Sequence, residues 1–317
     1  LTYFFIRLAT GKEKPAVISA LIIATMPMVT IYSHLMMLEV PLLAGVTTMV
    51  AGFYLYALGR LPRSIFSAIG LIVAFILGAL TKLPALPVAW GIIVAFILLS
   101  SIIFWRERFY KHFLKPELIL PFAASAGALA AAIWLIEKYF QINMITFFVD
   151  QSQGGQAGNP IRQALQLAWD HRGFYLRDFQ HMPFLSMVWF GSVLVYAIWK
   201  RSPLSLLLAL WTGITYVAFS GVNPQVPQYI MPIYAPLAIA TALMIAAISE
   251  LVPKPNEGQL ISGFLTLWVV ASQIIATPRS EGYGWRAGQT GQEDATRIIA
   301  EQAFLFTGDD RKQQGPP

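Results

Sequence analysis

Apolar runs close to twenty residues long, each closed by a short polar or charged knot, follow one another along the chain. After a leading partial run at 1–8, about nine full ones cover 15–32, 40–58, 64–81, 84–105, 117–138, 184–199, 203–220, 229–249 and 259–276. A helix rises ~1.5 Å per residue, so ~20 apolar residues cross a ~30 Å hydrocarbon core. Strands of a membrane barrel would alternate over ~10-residue segments, and no such alternation is present. The pattern predicts an all-α polytopic transmembrane helical bundle of about nine full spans plus a partial first one. Several runs are short for the bilayer, which implies little tilt or half-buried ends.

Two stretches interrupt the pattern. Residues 139–183 form a loop that opens on a Gly-rich break, "QSQGGQAGNP", and continues as "IRQALQLAWDHRGFYLRDF". Apolar residues in the second part recur at helical spacing, so it is expected to contain interfacial helices lying along the membrane surface. The tail, 277–317, includes "EDATRIIAEQAFLF" and reads as the start of an outer domain. The bundle therefore covers 1–276, and the chain carries no internal repeat.

Composition agrees with this architecture. Hydrophobic residues make up 56% and charged residues 12%, and mean hydropathy is +0.61. Soluble domains carry ~25% charged residues, so this chain cannot clothe itself in a water-compatible surface. Cysteine is absent, which excludes disulfides and thiolate metal sites. The chain opens on "LTYFFIRL", already apolar and without an initiator Met, so the natural protein is expected to extend upstream.

The net charge of +6 matters less than where the charges lie. Alternate loops hold Arg7, Lys12 and Lys14; Arg60 and Arg63; Arg106, Arg108, Lys111 and Lys115; Lys200 and Arg201; and Lys254. The opposing short loops contribute only Lys82. The positive-inside rule makes the basic side cytosolic and puts the 139–183 loop, the tail and the turn holding His34 and Glu39 outside. Basic residues spread over membrane loops are no nucleic-acid footprint, and no nucleic-acid partner is expected.

Ionisable groups at membrane depth cost ~2.5–3.5 kcal/mol or more and usually face a cavity or a partner. Three outer-facing features stand out. Glu39, with His34 just upstream, follows the first full span. Lys82 occupies the tight turn of "GALTKLPALP", and Tyr229 opens the eighth span in "NPQVPQYIMPIYAP". Each has a bland reading: a solvated loop carboxylate, a snorkelling lysine, an aromatic-belt tyrosine with Tyr234, and a helix-end histidine. Their occurrence on one face, with the large loop carrying Asp170, His171, Arg172, Arg177, Asp178 and His181, favours a shared site. Such a set suits a phosphate-bearing lipid, since Arg and Lys neutralise phosphate and a Tyr hydroxyl adds a neutral donor. A carboxylate there can hold a divalent cation or orient an acceptor hydroxyl. His34 is five residues before Glu39, roughly 140° away on one helix, so the two share a site only if a helix ends between them. Pro41 favours such a break.

Four segments resemble the polytopic glycosyltransferases of the GT-C superfamily that use polyprenyl-phosphate sugars, among them the protein O-mannosyltransferase-like enzymes and the aminoarabinose transferases. They are "PAVISALIIATMPMVTIYSHLMMLEVPLLAG", "GLIVAFILGALTKLPALP", "GFYLRDFQHMPFLSMVWFG" and "VPQYIMPIYAPLAIATA". The last, a Pro-x-Tyr-apolar-apolar-Pro unit, is the most specific. The resemblance implies a second acidic site residue at Glu39, a donor cavity lined by Lys82, and a donor-phosphate contact at Tyr229. Gln225, Arg172 and Arg177 are further candidates for phosphate binding, and Glu39 with His171 for a divalent metal ion. The chain departs from the family in having Glu at 39 where Asp is common, His at 34 where Arg is common, and Gln at 225 where Lys is frequent. The family's main catalytic carboxylate belongs to a first outer loop that would precede Leu1.

The resemblance implies transfer of a sugar, with inversion, from a polyprenyl-phosphate donor to an acceptor protein, lipid or glycan, at the periplasmic or exterior face of the cell membrane. Two alternatives stand beside it: a transporter or flippase for a lipid-linked or small solute, and a non-catalytic membrane assembly subunit. Transporters tend to show inverted repeats and helices broken at mid-membrane, and neither is read here.

Overall fold

In the computed structural model, the described residues are 1–34, 39–62, 64–81, 85–113, 118–140, Gln166, Trp169, 183–220 and 227–277. Among them every regular element is helical. The longer helices are α1 (Thr2–Thr10), α2 (Glu13–Thr25), α3 (Pro27–His34), α4 (Glu39–Ala57), α5 (Ile65–Thr81), α6 (Ala85–Ile103), α7 (Ile119–Phe140), α8 (Pro183–Lys200), α9 (Pro203–Ser220), α10 (Tyr234–Glu250) and α11 (Pro255–Thr277). Short 3₁₀ segments at Trp105–Glu107 and Phe109–His112 follow α6, and one at Pro227–Ile233 precedes α10.

The helices start and stop where local chemistry directs. Gly11 ends α1 in the left-handed region (φ 73°), a conformation that costs glycine little, and returns its N–H to the Arg7 carbonyl. Ser202 and Ser205 cap α9 reciprocally, each backbone N–H donating to the other's hydroxyl at 2.9 and 3.2 Å. Ser64 accepts from the Ser67 N–H at 3.2 Å and opens α5.

Among the described residues, five helical segments are long and apolar enough to cross a membrane: Val40–Ala57, Ala85–Ile103, Pro203–Ser220, Ile230–Glu250 and Pro255–Thr277. Three shorter apolar helices, Ile65–Leu80, Ile119–Leu135 and Phe184–Lys200, stand among them. The expected span at 15–32 is not one continuous helix. It breaks at Met26, whose backbone is extended (φ −60°, ψ 125°), because the ring of Pro27 disfavours helical geometry in the residue before it. Within the 139–183 stretch, Gln166 and Trp169 are helical.

The centre of the bundle is α10, whose membrane-length window is 94% buried, against 17% for α11 at the periphery. Buried alanines at 235, 238, 240, 242, 246 and 247 let α2, α8 and α9 approach α10 closely. A second focus lies around Phe122 of α7. The rings of Phe53, Phe75 and Trp90 stand 5.9, 5.4 and 5.6 Å from it and join α4, α5 and α6 there. Between α4 and α5, large faces small: a Cβ on Gly78 would come within 2.9 Å of Met49, and one on Gly52 within 3.0 Å of Leu71.

One end of this bundle gathers the basic loops. Lys12, between α1 and α2, pairs with Glu250 at the end of α10, and Lys14 Nζ donates to Ser249 Oγ at 3.0 Å. Phe5 of α1 meets Tyr54 near the end of α4 at 5.7 Å, Tyr54 meets Phe96 of α6 at 5.8 Å, and Phe96 meets Phe109 beyond α6 at 6.3 Å. These contacts tie the loops carrying Arg7–Lys14, Arg60, Arg106–Lys111 and Lys254 to a common end.

Candidate functional site at the opposite end

The other end holds the first described turn of α4, the end of α5, the start of α6, and the 3₁₀ segment leading into α10. The described part of α3 ends at His34 and that of α4 begins at Glu39, and the break expected between them falls on residues 35–38, outside the described residues. Pro41 lies two residues past Glu39, the first described residue of α4. Pro232 lies inside Pro227–Ile233 and, lacking an N–H, favours the tighter local winding seen there. This segment packs on α4, α9 and α3. The helix that begins with Glu39 and the segment that carries Tyr229 are therefore neighbours.

The described end of α5, at Thr81, relates to them less directly. The Gly52–Leu71 and Met49–Gly78 contacts show that α4 and α5 run antiparallel. Glu39 begins α4 about 15 Å before Met49, whereas Thr81 ends α5 about 4.5 Å past Gly78, at ~1.5 Å per residue. Along straight helices the start of α4 thus stands about 10 Å farther out than the end of α5. The two positions share an end of the bundle but differ in depth.

The structure describes the backbone of His34, Glu39 and Tyr229. Lys82, Asp170, His171, Arg172, Arg177, Asp178, His181 and Gln225 lie outside the described residues, as does the tail from 278. Among the described residues no group of three His, Asp or Glu side chains gathers in a way that could hold a metal ion.

The sequence did not single out a set of buried polar atoms beneath this end. Thr47 Oγ1 on α4, Trp90 Nε1 on α6, and Trp211 Nε1 and Thr215 Oγ1 on α9 are buried without a hydrogen-bond partner among the described residues. Each lies within about 14 Å of the candidate end, counted along its helix at ~1.5 Å per residue. Helices α6 and α9 meet at this level, where a Cβ on Gly91 would sit 3.5 Å from Ile214. A buried donor left unmatched costs ~1–3 kcal/mol, so each such group calls for a reason. The one signal available in the sequence was the i, i+4 spacing of Trp211 and Thr215 on a single face of α9.

A second polar feature, Gln273, is fully satisfied. Its amide, oriented to meet every neighbour, donates to the Ile22 carbonyl at 3.1 Å and to Thr25 Oγ1 at 2.5 Å, and accepts from Trp189 Nε1 at 3.2 Å. This junction pins α2, α8 and α11 together. A glutamine inside an apolar run was the available signal for it.

Among known proteins, the chain is similar to an uncharacterized protein of Aquifex aeolicus (strain VF5), with 26% identity over 250 residues, which is 76% of this chain and 45% of that protein. The chain thus spans less than half the length of this relative. No family model matches the chain, and no solved structure matches it.

Proposed function

We propose that the chain is the membrane part of a glycosyltransferase that moves a sugar from a polyprenyl-phosphate donor to an acceptor at the non-cytosolic face of the cell membrane. In this reading, nine spans and a partial first one carry the site, with the basic loops in the cytosol. The observation that carries it is the packing of α4, which starts at Glu39, against Pro227–Ile233, which includes Tyr229. Packing of these two elements, each carrying a motif of the resemblance far from the other in sequence, supports the reading. The unmatched hydroxyls and indole N–H groups below them offer neutral hydrogen bonds of the kind a hydroxyl-rich headgroup uses.

The chemistry is a displacement at the anomeric carbon. An acceptor hydroxyl or amine attacks that carbon, the bond from it to the phosphate oxygen breaks, and the configuration inverts. The acceptor's proton passes to a carboxylate base, and the polyprenyl phosphate departs with the electron pair. Charge grows on the leaving phosphate, so groups aimed at it stabilise the transition state more than the ground state. Lys82 supplies a fixed positive charge and Tyr229 a phenolic donor, with Arg172 and Arg177 as further phosphate contacts. Glu39 orients the acceptor side.

Reconstituting the full-length gene product in liposomes with a polyprenyl-phosphate sugar and a candidate acceptor tests the proposal. Acceptor-dependent release of polyprenyl phosphate is expected. Substrate-driven solute uptake without any transfer would contradict it and favour a transporter.

A further inference from the structure

A groove of about 460 Å³ runs along the periphery between α2 and α11, far from the candidate site. Val17, Ile18 and Leu21 form one wall, and Ser262, Gly263 and Thr266 lie on the other. Lys14 stands at its basic end. A side chain added at Gly263 would meet nothing within 4 Å, so the groove is open there. Its far end is closed by the Thr25–Gln273 contact. From Gln259 to Val270 the lined part of α11 extends about 16 Å, close to the depth of one leaflet of a ~30 Å core.

The charges around the opening are unevenly matched. Glu13 is paired with Arg7 at 3.4 Å, Glu250 with Lys12, and Glu257 with Lys254 at 2.8 Å. Lys14, in contrast, bonds a neutral hydroxyl, Ser249 Oγ. Each nearby carboxylate on α2, α10 and α11 is therefore engaged by another cation. Lys14 stands at the mouth of an apolar channel with its charge uncompensated among the described residues.

We infer that this groove holds an anionic glycerophospholipid of the leaflet at the basic end, one acyl chain lying between α2 and α11 and the headgroup phosphate on Lys14. An apolar channel one leaflet long accepts an acyl chain. A lysine at its membrane-surface end donates to a phosphate, and its charge favours a headgroup of net negative charge over a zwitterionic one, whose own cation offsets the phosphate. The small residues at 262, 263 and 266 leave the width that the chain fills. The inference stands apart from the transferase reading, because it concerns the opposite end of the bundle.

Native mass spectrometry of the full-length protein, released from nanodiscs holding equal phosphatidylglycerol and phosphatidylcholine of identical chains, tests it. Retained phosphatidylglycerol is expected to exceed phosphatidylcholine about fivefold, the effect of one lysine near an anionic headgroup. Lys14→Gln should abolish that preference. Gly263→Leu, which fills the channel, should remove the retained lipid of both kinds. Equal retention of the two lipids by the unaltered protein would overturn the inference. So would unchanged retention in Gly263→Leu, or a covalent dimer formed through Gly263→Cys, which would make a second copy the occupant.

Discussion

Lys12 and Glu250 form an ion pair across 238 positions of sequence, closing the first basic loop onto the end of the central helix. With the Phe5–Tyr54–Phe96–Phe109 series of rings, it makes the basic end of the bundle a physical unit. The pair itself is exposed, and exposed pairs typically contribute ~0.2–1 kcal/mol. Lys12→Glu should therefore lower thermal stability in detergent only slightly, and adding Glu250→Lys should restore it. A double-mutant cycle measures the coupling. A coupling of several kcal/mol would mean that the pair lies in a less polar setting than its exposure indicates.

The Gln273 junction should be worth more than that surface pair, because its partners are buried. Gln273→Leu removes the acceptor of the Trp189 indole and one contact of Thr25, whose hydroxyl retains the Leu21 carbonyl at 2.8 Å. A loss of about 1–2 kcal/mol is expected, in the range of hydrogen bonds between membrane helices. Equilibrium unfolding in mixed micelles gives the value, and a stabilised variant would remove the junction from the account.

Gly258 tests the corner between α10 and α11. A Cβ there would come within 2.5 Å of the Ser249 carbonyl oxygen, a backbone atom that cannot turn aside as a side chain can. Gly258→Ala should destabilise the protein by ~1–3 kcal/mol, the cost of overpacking. Gly263→Ala, five positions along the same helix, should be neutral because its space is open. Equal melting of the two variants would show that the corner relaxes freely.

For the reaction itself, Tyr229→Phe and Lys82→Ala in the full-length protein should each lower transfer at least about tenfold with expression unchanged. On the proposed mechanism each removes a hydrogen bond to a charged phosphate oxygen, worth ~1.5–3 kcal/mol. Turnover rates on a polyprenyl-phosphate sugar provide the measurement. Full activity in both variants would take these residues out of the site.

Much of the helix pattern was legible in the hydrophobic runs. The expected spans at 184–199 and 203–220 compare with α8 at Pro183–Lys200 and α9 at Pro203–Ser220. Hydropathy responds to burial in lipid and is blind to backbone geometry, so it merged α2 with α3. The break at Met26 follows from a proline ring, which an apolar average does not register. The break expected between His34 and Glu39 falls on residues 35–38, outside the described residues. The neighbourhood of α4 and Pro227–Ile233 had no local signature, being set by how α4, α9 and α10 pack. The same holds for Thr47, Trp90, Trp211 and Thr215. Inside an apolar run their residue types look ordinary, and their significance rests on which neighbours they lack.

The central claim is that the basic loops and the candidate site lie on opposite sides of one membrane, with the site outside. The chain has no cysteine, so single cysteines can be placed on a clean background. Substitutions at Ser33, Glu39 and Lys82 should react with an impermeant maleimide applied to intact cells. Those at Lys12, Lys111 and Lys254 should react only after permeabilisation. Labelling of Glu39 and Lys82 from different sides, or of Lys12 from outside, would contradict the account.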